Sequence, residues 1–276
     1  MGNLRACFAV ALLALAACGE DHAKVDASII IQDSPPIDSK VFMDAPPSMY
    51  DLSCLGANPP TTAADPITIG GTTQTLTMNG AMPLAMVAVD VFRSSSATAI
   101  ASVTSDNAGA FMTGNIATGG TPVDGYVRGA KATFRTTYLY PPTVVATSLP
   151  GVPVILISNA LFDALSAQIA PQDDANNGAL LVLVTDCTVP QPSPIEGATL
   201  SVQQGGSDVG TVFDLGGLAP QAAGTFFVFN VPDGATQVTA SYNSMMFPTR
   251  TVVAHKKPMG MNTEATLTVV AVRPGG

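Results

Sequence analysis

The chain has 276 residues, of which 11% are charged and 47% hydrophobic, and its net charge is −9. That much apolar material builds a core and excludes a chain disordered throughout, and the length allows one or two domains. Cations are sparse and form no cluster larger than Lys256-Lys257, which argues against nucleic acid as a partner, because phosphate binding draws its affinity from Lys and Arg.

Arg5 supplies a short positive start, and Phe8 to Ala17 is an unbroken apolar run. A membrane-spanning helix needs about 20 apolar residues. This run is shorter and fits the roughly 7–15-residue core of a secretory signal. Leu15-Ala16-Ala17-Cys18 follows it directly. This stretch resembles the lipobox of bacterial lipoproteins. The resemblance implies signal cleavage between Ala17 and Cys18, acylation of Cys18 by chains such as palmitate, and a mature protein held on the membrane by lipid. In that family an aspartate after the cysteine retains the protein at the inner membrane. Gly19 stands there, so the expected place is the outer membrane of a bacterial cell envelope, on its periplasmic or its surface face. The plainer reading is an ordinary signal with a chance cysteine beside its cleavage site.

Residues 18–53 read as a disordered, Pro- and Asp-rich tether. Glu20, Asp21, Asp26, Asp33, Asp38, Asp44 and Asp51 face only Lys24 and Lys40, and Pro35-Pro36 and Pro46-Pro47 block helix and central strand. Such a spacer spans on the order of 33 Å as a coil and up to ~100 Å as polyproline II. Ile29-Ile30-Ile31 could pair transiently as a strand, and the aspartates of this stretch lack the spacing of a calcium loop.

The rest of the chain repeats one pattern. Pro83-Leu84-Ala85-Met86-Val87-Ala88-Val89-Asp90-Val91 aligns with Pro194-Ile195-Glu196-Gly197-Ala198-Thr199-Leu200-Ser201-Val202. Each begins with proline and an aliphatic residue and runs into a strand with apolar residues at period two. Farther on, Gly109-Ala110-Phe111 aligns with Gly224-Thr225-Phe226. Further strands are expected within 66–78, 126–140, 179–186, 226–231, 236–242 and 265–272, and Asp233-Gly234 predicts a tight hairpin. Short strands between frequent turns predict an all-β fold. It is read as two tandem β-sandwiches, over 54–156 and 179–276, with a linking helix and turn over 157–178. Ser105-Asp106-Asn107-Ala108-Gly109-Ala110-Phe111 resembles the turn of carboxypeptidase regulatory-like domains, which are transthyretin-like sandwiches; the second copy keeps only Gly224 and Phe226. The resemblance covers about 66–147 and 179–272 and implies a non-catalytic module. An immunoglobulin-like sandwich is the alternative.

Ile157, Leu161, Leu165 and Ile169 form one apolar helical stripe, capped by Ser158 or Asn159. The polar run from Asp173 to Gly178 reads as a turn, since its order departs from a calcium loop.

Chemistry finds little purchase. His22 lies in the tether and His255 alone in the body, which leaves no paired-histidine metal site. No cofactor and no catalytic residues are expected. A Cys187 nucleophile served by His255, and a glycan face on Tyr138, Tyr140 and Tyr242, are the sharper alternatives. Once Cys7 leaves with the signal and Cys18 takes lipid, Cys54 and Cys187 remain, and an oxidising compartment lets them pair as a disulfide; two free thiols are the alternative. The function expected is a non-enzymatic envelope lipoprotein with a structural, adhesive or partner-binding use. Its partners would be the membrane through the anchor, and envelope proteins or glycans.

Overall fold

The computed structural model describes residues 49–77, 80–169, 177–188, 192–217, 222–255 and 266–275. Ala17, Cys18, His22, Ile29–Ile31, Asp173–Asn176 and Lys256-Lys257 lie outside them.

The first half contributes β1 (Ile69–Thr77), β2 (Gly80–Pro83), β3 (Ala88–Arg93), β4 (Ala99–Thr104), β5 (Ala110–Met112), β6 (Gly125–Ala130), β7 (Thr137–Tyr140) and β8 (Leu149–Leu156). Helix α1 (Asn159–Ile169) follows. The second half contributes β9 (Gly178–Val184), β10 (Thr199–Gln204), β11 (Ser207–Asp208), β12 (Thr211–Asp214), β13 (Thr225–Val231), β14 (Gly234–Tyr242), β15 (Met245–Met246), β16 (Arg250–Ala254) and β17 (Leu267–Val272). The fold is all-β with one short helix among the described residues.

The two halves repeat one topology. The first strand of each pairs in parallel with the last, β1 with β8 and β9 with β17. It also pairs antiparallel with the strand that follows the shared glycine, β5 or β13. The strands opened by Pro83 and Pro194 are equivalent: β3 pairs with β4 and β6, and β10 with β11 and β14. Their period-two positions point inward, with Val87, Val89 and Val91 buried in one half and Ala198 and Val202 in the other.

The halves do not contribute equivalent sheets to their junction. β17 of the second half also pairs in parallel with β7 of the first. This makes one eight-stranded sheet in the order β12-β13-β9-β17-β7-β6-β3-β4. An edge left open on β7 or β17 would expose unpaired backbone groups, and each closes the other.

A smaller sheet of β1, β2, β5 and β8 covers the first half, and one of β10, β11, β14, β15 and β16 covers the second. They lie on opposite faces of the long sheet. On β7, Tyr138 and Tyr140 enter the core beneath β10 and β14, whereas Leu139 packs against the first-half core and the helix core. Strands β9, β13 and β17 are therefore buried on both faces, and their sequences are continuous apolar runs rather than alternations. Leu180, Val182 and Val184 face one core, and Ala179 and Leu181 the other. Fully burying such a side chain contributes about 1.5–3 kcal/mol.

Helix α1 is the third layer, lying over β9, β13 and β17. The Leu161 N–H donates to Ser158 Oγ at 3.3 Å, so Ser158 is the cap. Ile157 before the cap and Phe162 in the first turn join the same core, as a hydrophobic staple requires.

Two expectations are corrected. Asp233-Gly234 does not close a hairpin: β13 and β14 belong to different sheets, and the turn carries the chain across the core. Leu149–Leu156 forms a further strand, which carries Pro150 and Pro153. It runs along one edge of its sheet, where a missing N–H leaves no ladder bond unmade. Tyr50–Ser53, read as the end of a disordered tether, is docked on the second half.

Candidate functional site: the tether clasp and the aromatic seam

Two places gather polar and aromatic side chains. The first is where the N-terminal chain reaches the body. Cys54 and Cys187 form a disulfide, with Cα atoms 5.7 Å apart. The sequence reading placed Cys54 at the start of the first sandwich. In space it sits on the second half, just past the C-terminal ends of β9 and β17.

The chain before it is held by a run of contacts. The Cys187 N–H donates to Asp51 O at 2.8 Å, and the Asp51 N–H donates to Asp186 Oδ2 at 3.3 Å. The Glu196 N–H donates to Tyr50 Oη at 3.0 Å. Tyr50 meets Tyr242 edge-on at 5.4 Å, and Tyr50 and Leu52 pack against the core beneath. Asp186 is buried and also accepts from the Thr188 and Ser193 amides and the Thr188 hydroxyl, which satisfies a carboxylate that burial would otherwise penalise. Ser53 holds the exposed Asp51 carboxyl below the usual carboxylate range through hydrogen bonds from its side chain and backbone.

The second place is the seam between the halves. Tyr126, Tyr138, Tyr140 and His255 form one cluster, with the His255 ring stacked on Tyr138 at 3.7 Å. Phe92 stacks on Tyr126 at 5.1 Å, and the Arg128 guanidinium lies over Phe92 at 5.1 Å while pairing with Asp90 at 2.6 Å. Burial pushes the His255 imidazole down to about 4, against a partial pull upward from Asp233. Burial likewise raises the Tyr126, Tyr138 and Tyr140 phenols. Tyr140 Oη accepts from the Val253 N–H at 3.1 Å, which ties the first half to β16 of the second.

These arrangements hold surfaces together and offer little for catalysis. Cys187 is bonded to Cys54, so it is not a nucleophile for His255 to activate. Tyr138 and Tyr140 are buried and Tyr242 packs against Tyr50, so the three tyrosines form no open face for a sugar. Among the described residues no three His, Cys, Asp or Glu side chains converge as a metal site would require, and no helix is long and apolar enough to cross a membrane. A shallow cleft of about 410 Å³ is lined by Gly71, Asp106, Ala110, Phe111, Met112 and Pro150. Its carboxylate, Asp106, accepts from the Ala108 and Ala110 amides and so holds the turn that the sequence predicted.

The seam was not legible in the sequence, where Tyr126, Tyr138 and His255 are far apart. A lone histidine in an apolar context was the available signal.

No protein-family model and no curated protein matches the chain. Among solved structures, a minor pilin of the Gram-positive pathogen Streptococcus agalactiae is 9% identical, with 75% of this chain and 95% of that one aligned at a TM-score of 0.26. A streptococcal ancillary pilin is 12% identical, aligned over 76% of this chain and 62% of that one at 0.23. The Bacillus anthracis TIE protein is 7% identical, aligned over 75% and 33% at 0.22. The chain thus spans less than two thirds of the last two, and TM-scores this low establish no common fold.

Proposed function

We propose that the chain is a non-catalytic bacterial envelope lipoprotein that displays paired carboxypeptidase regulatory-like sandwiches for structural or adhesive contact. The observation that carries this reading is Leu15-Ala16-Ala17-Cys18 at the end of a short apolar signal. Support for the sandwich family comes from the Ser105–Phe111 turn and from the matching topology of the two halves. Support for a non-catalytic role comes from what the chemically able groups do in the fold: both body cysteines are in one bond, and the body histidine is stacked in the seam. In this reading the acidic chain after Cys18 spaces the body from the lipid, and the outer membrane is the expected place.

Cys18→Ser tests the anchor. Cells carrying each form are labelled with a palmitate analogue and fractionated. The wild type is expected to take label and sediment with membranes, and the variant to lose both. A variant that is processed and stays membrane-bound like the wild type overturns the reading.

A further inference from the structure

The path of the chain between Tyr50 and Pro66 carries an inference about attachment. Tyr50 to Cys54 lies on the second half through the contacts described above. From Leu55 to Thr62 every residue is exposed, and its described backbone bonds are local ones back to Leu52 and Cys54. The chain is next fixed on the first half, where the Ala63 N–H donates to Gly120 O at 2.9 Å and the Ala64 N–H to Ala146 O at 2.8 Å. Two attachment points on two halves are thus joined by an exposed span.

We propose that residues 50–54 are a strap latched by the Cys54–Cys187 bond, and that opening the latch moves the point where the N-terminal chain joins the body from the second half to Ala63 on the first. Three features of the geometry make the strap separable from the fold. It belongs to no strand, so its release breaks no sheet ladder. Its longest polar contact, Asp51 N–H to Asp186 at 3.3 Å, is weak by distance. Both cysteines are only half-buried, which places the bond near the surface rather than in the core. The cores beneath stay closed by their own side chains, whereas Tyr242 loses its partner ring and the Glu196 amide loses the Tyr50 hydroxyl.

The reductant is a dithiol. One thiolate attacks a sulfur of the Cys54–Cys187 bond, and the mixed disulfide is resolved by the second thiol. Cys54 and Cys187 leave as two thiols with two protons and two electrons gained, and the dithiol leaves as its own disulfide. The released span, from Tyr50 to Thr62, adds about 40 Å of reach at the extended-chain limit. The body then hangs from its first half.

The full-length chain purified without reductant is compared, with and without a dithiol, by hydrogen–deuterium exchange. The expected result is at least a tenfold loss of protection at the Cys187 and Glu196 amides, with β9 and β14 unchanged. Cys54→Ser with Cys187→Ser is expected to give the open pattern without any reductant. Unchanged protection at Cys187 and Glu196 in the reduced protein or in the double variant overturns the proposal. Loss of protection that spreads through β9 and β14 also overturns it, because the bond is then a staple of the fold and not a latch.

Discussion

Gly224 lies against the backbone of Ile195 so closely that a Cβ on it would fall 2.7 Å from the Ile195 oxygen and 2.8 Å from its nitrogen. Gly109 stands in the same relation to Leu84 and to Thr73, whose oxygen would be 2.6 Å away. Both glycines have positive φ, +73° and +78°. Each closes the same relay. The Thr73 N–H donates to Gly109 O and the Leu84 N–H to Thr73 O; in the second half Val184 donates to Gly224 and Ile195 to Val184, all four bonds being 2.7–2.9 Å long. Gly109→Ala and Gly224→Ala are each expected to destabilise by roughly 2–3 kcal/mol, from backbone strain plus displacement of the packed strand. Gly119→Ala is the control, because its φ is +63° but nothing lies within 4 Å; it should cost about 1 kcal/mol. Urea midpoints at constant m-value measure all three.

The Cys54–Cys187 bond spans 133 residues of sequence. In the chain-entropy model such a loop stabilises by up to ~5 kcal/mol through the unfolded state. Cys54→Ser with Cys187→Ser should lower the urea midpoint by far less than that limit, because the freed strap regains its own chain entropy in the folded state while β9 and β14 stay closed. Before reduction, alkylation of the denatured wild type should add no mass at these two positions. Two thiols alkylated there would contradict the bond.

His255 makes stability depend on pH. Its folded value of about 4 lies below the ordinary 6.5. Between those values the unfolded chain binds more protons than the folded one, so stability present above 6.5 is lost as pH falls toward about 4. The groups facing it are Tyr126, Tyr138, Arg128 and Asp233. His255→Phe keeps a ring in the stack and removes the titration. The wild type should therefore lose more stability than the variant across this window in urea titrations at stepped pH, and parallel curves would refute the assignment.

Phe162 has no exposed surface and receives the Arg135 guanidinium on its ring at 3.9 Å. Arg135 is itself buried and pairs with Asp163 at 2.6 Å. Phe162→Ala should cost about 3–5 kcal/mol, because it opens a cavity under α1 and removes the face on which a buried cation rests. Phe162→Leu refills part of the volume and should cost less. Equal midpoints for the two variants would mean that packing under the helix contributes nothing.

Much of the fold was legible because local chemistry wrote it. Period-two valines marked β3, the glycine of the Ser105–Phe111 turn marked a backbone that no side chain can follow, and Ser158 with the stripe behind it marked α1. Asp233-Gly234 misled because turn residues say that the chain reverses and not which sheet it reaches next.

The sequence by itself determined the strand content, the repeat and the capped helix, since each rests on neighbours along the chain. Only the tertiary structure decided that β17 seats between β7 and β9, that Tyr138 and His255 stack, and that the chain before Cys54 docks on the second half. Those are pairings between segments far apart in sequence. An apolar run buried on both faces, such as Leu267–Val272, carries no mark of which strand will cover each of its edges, so the choice falls to packing.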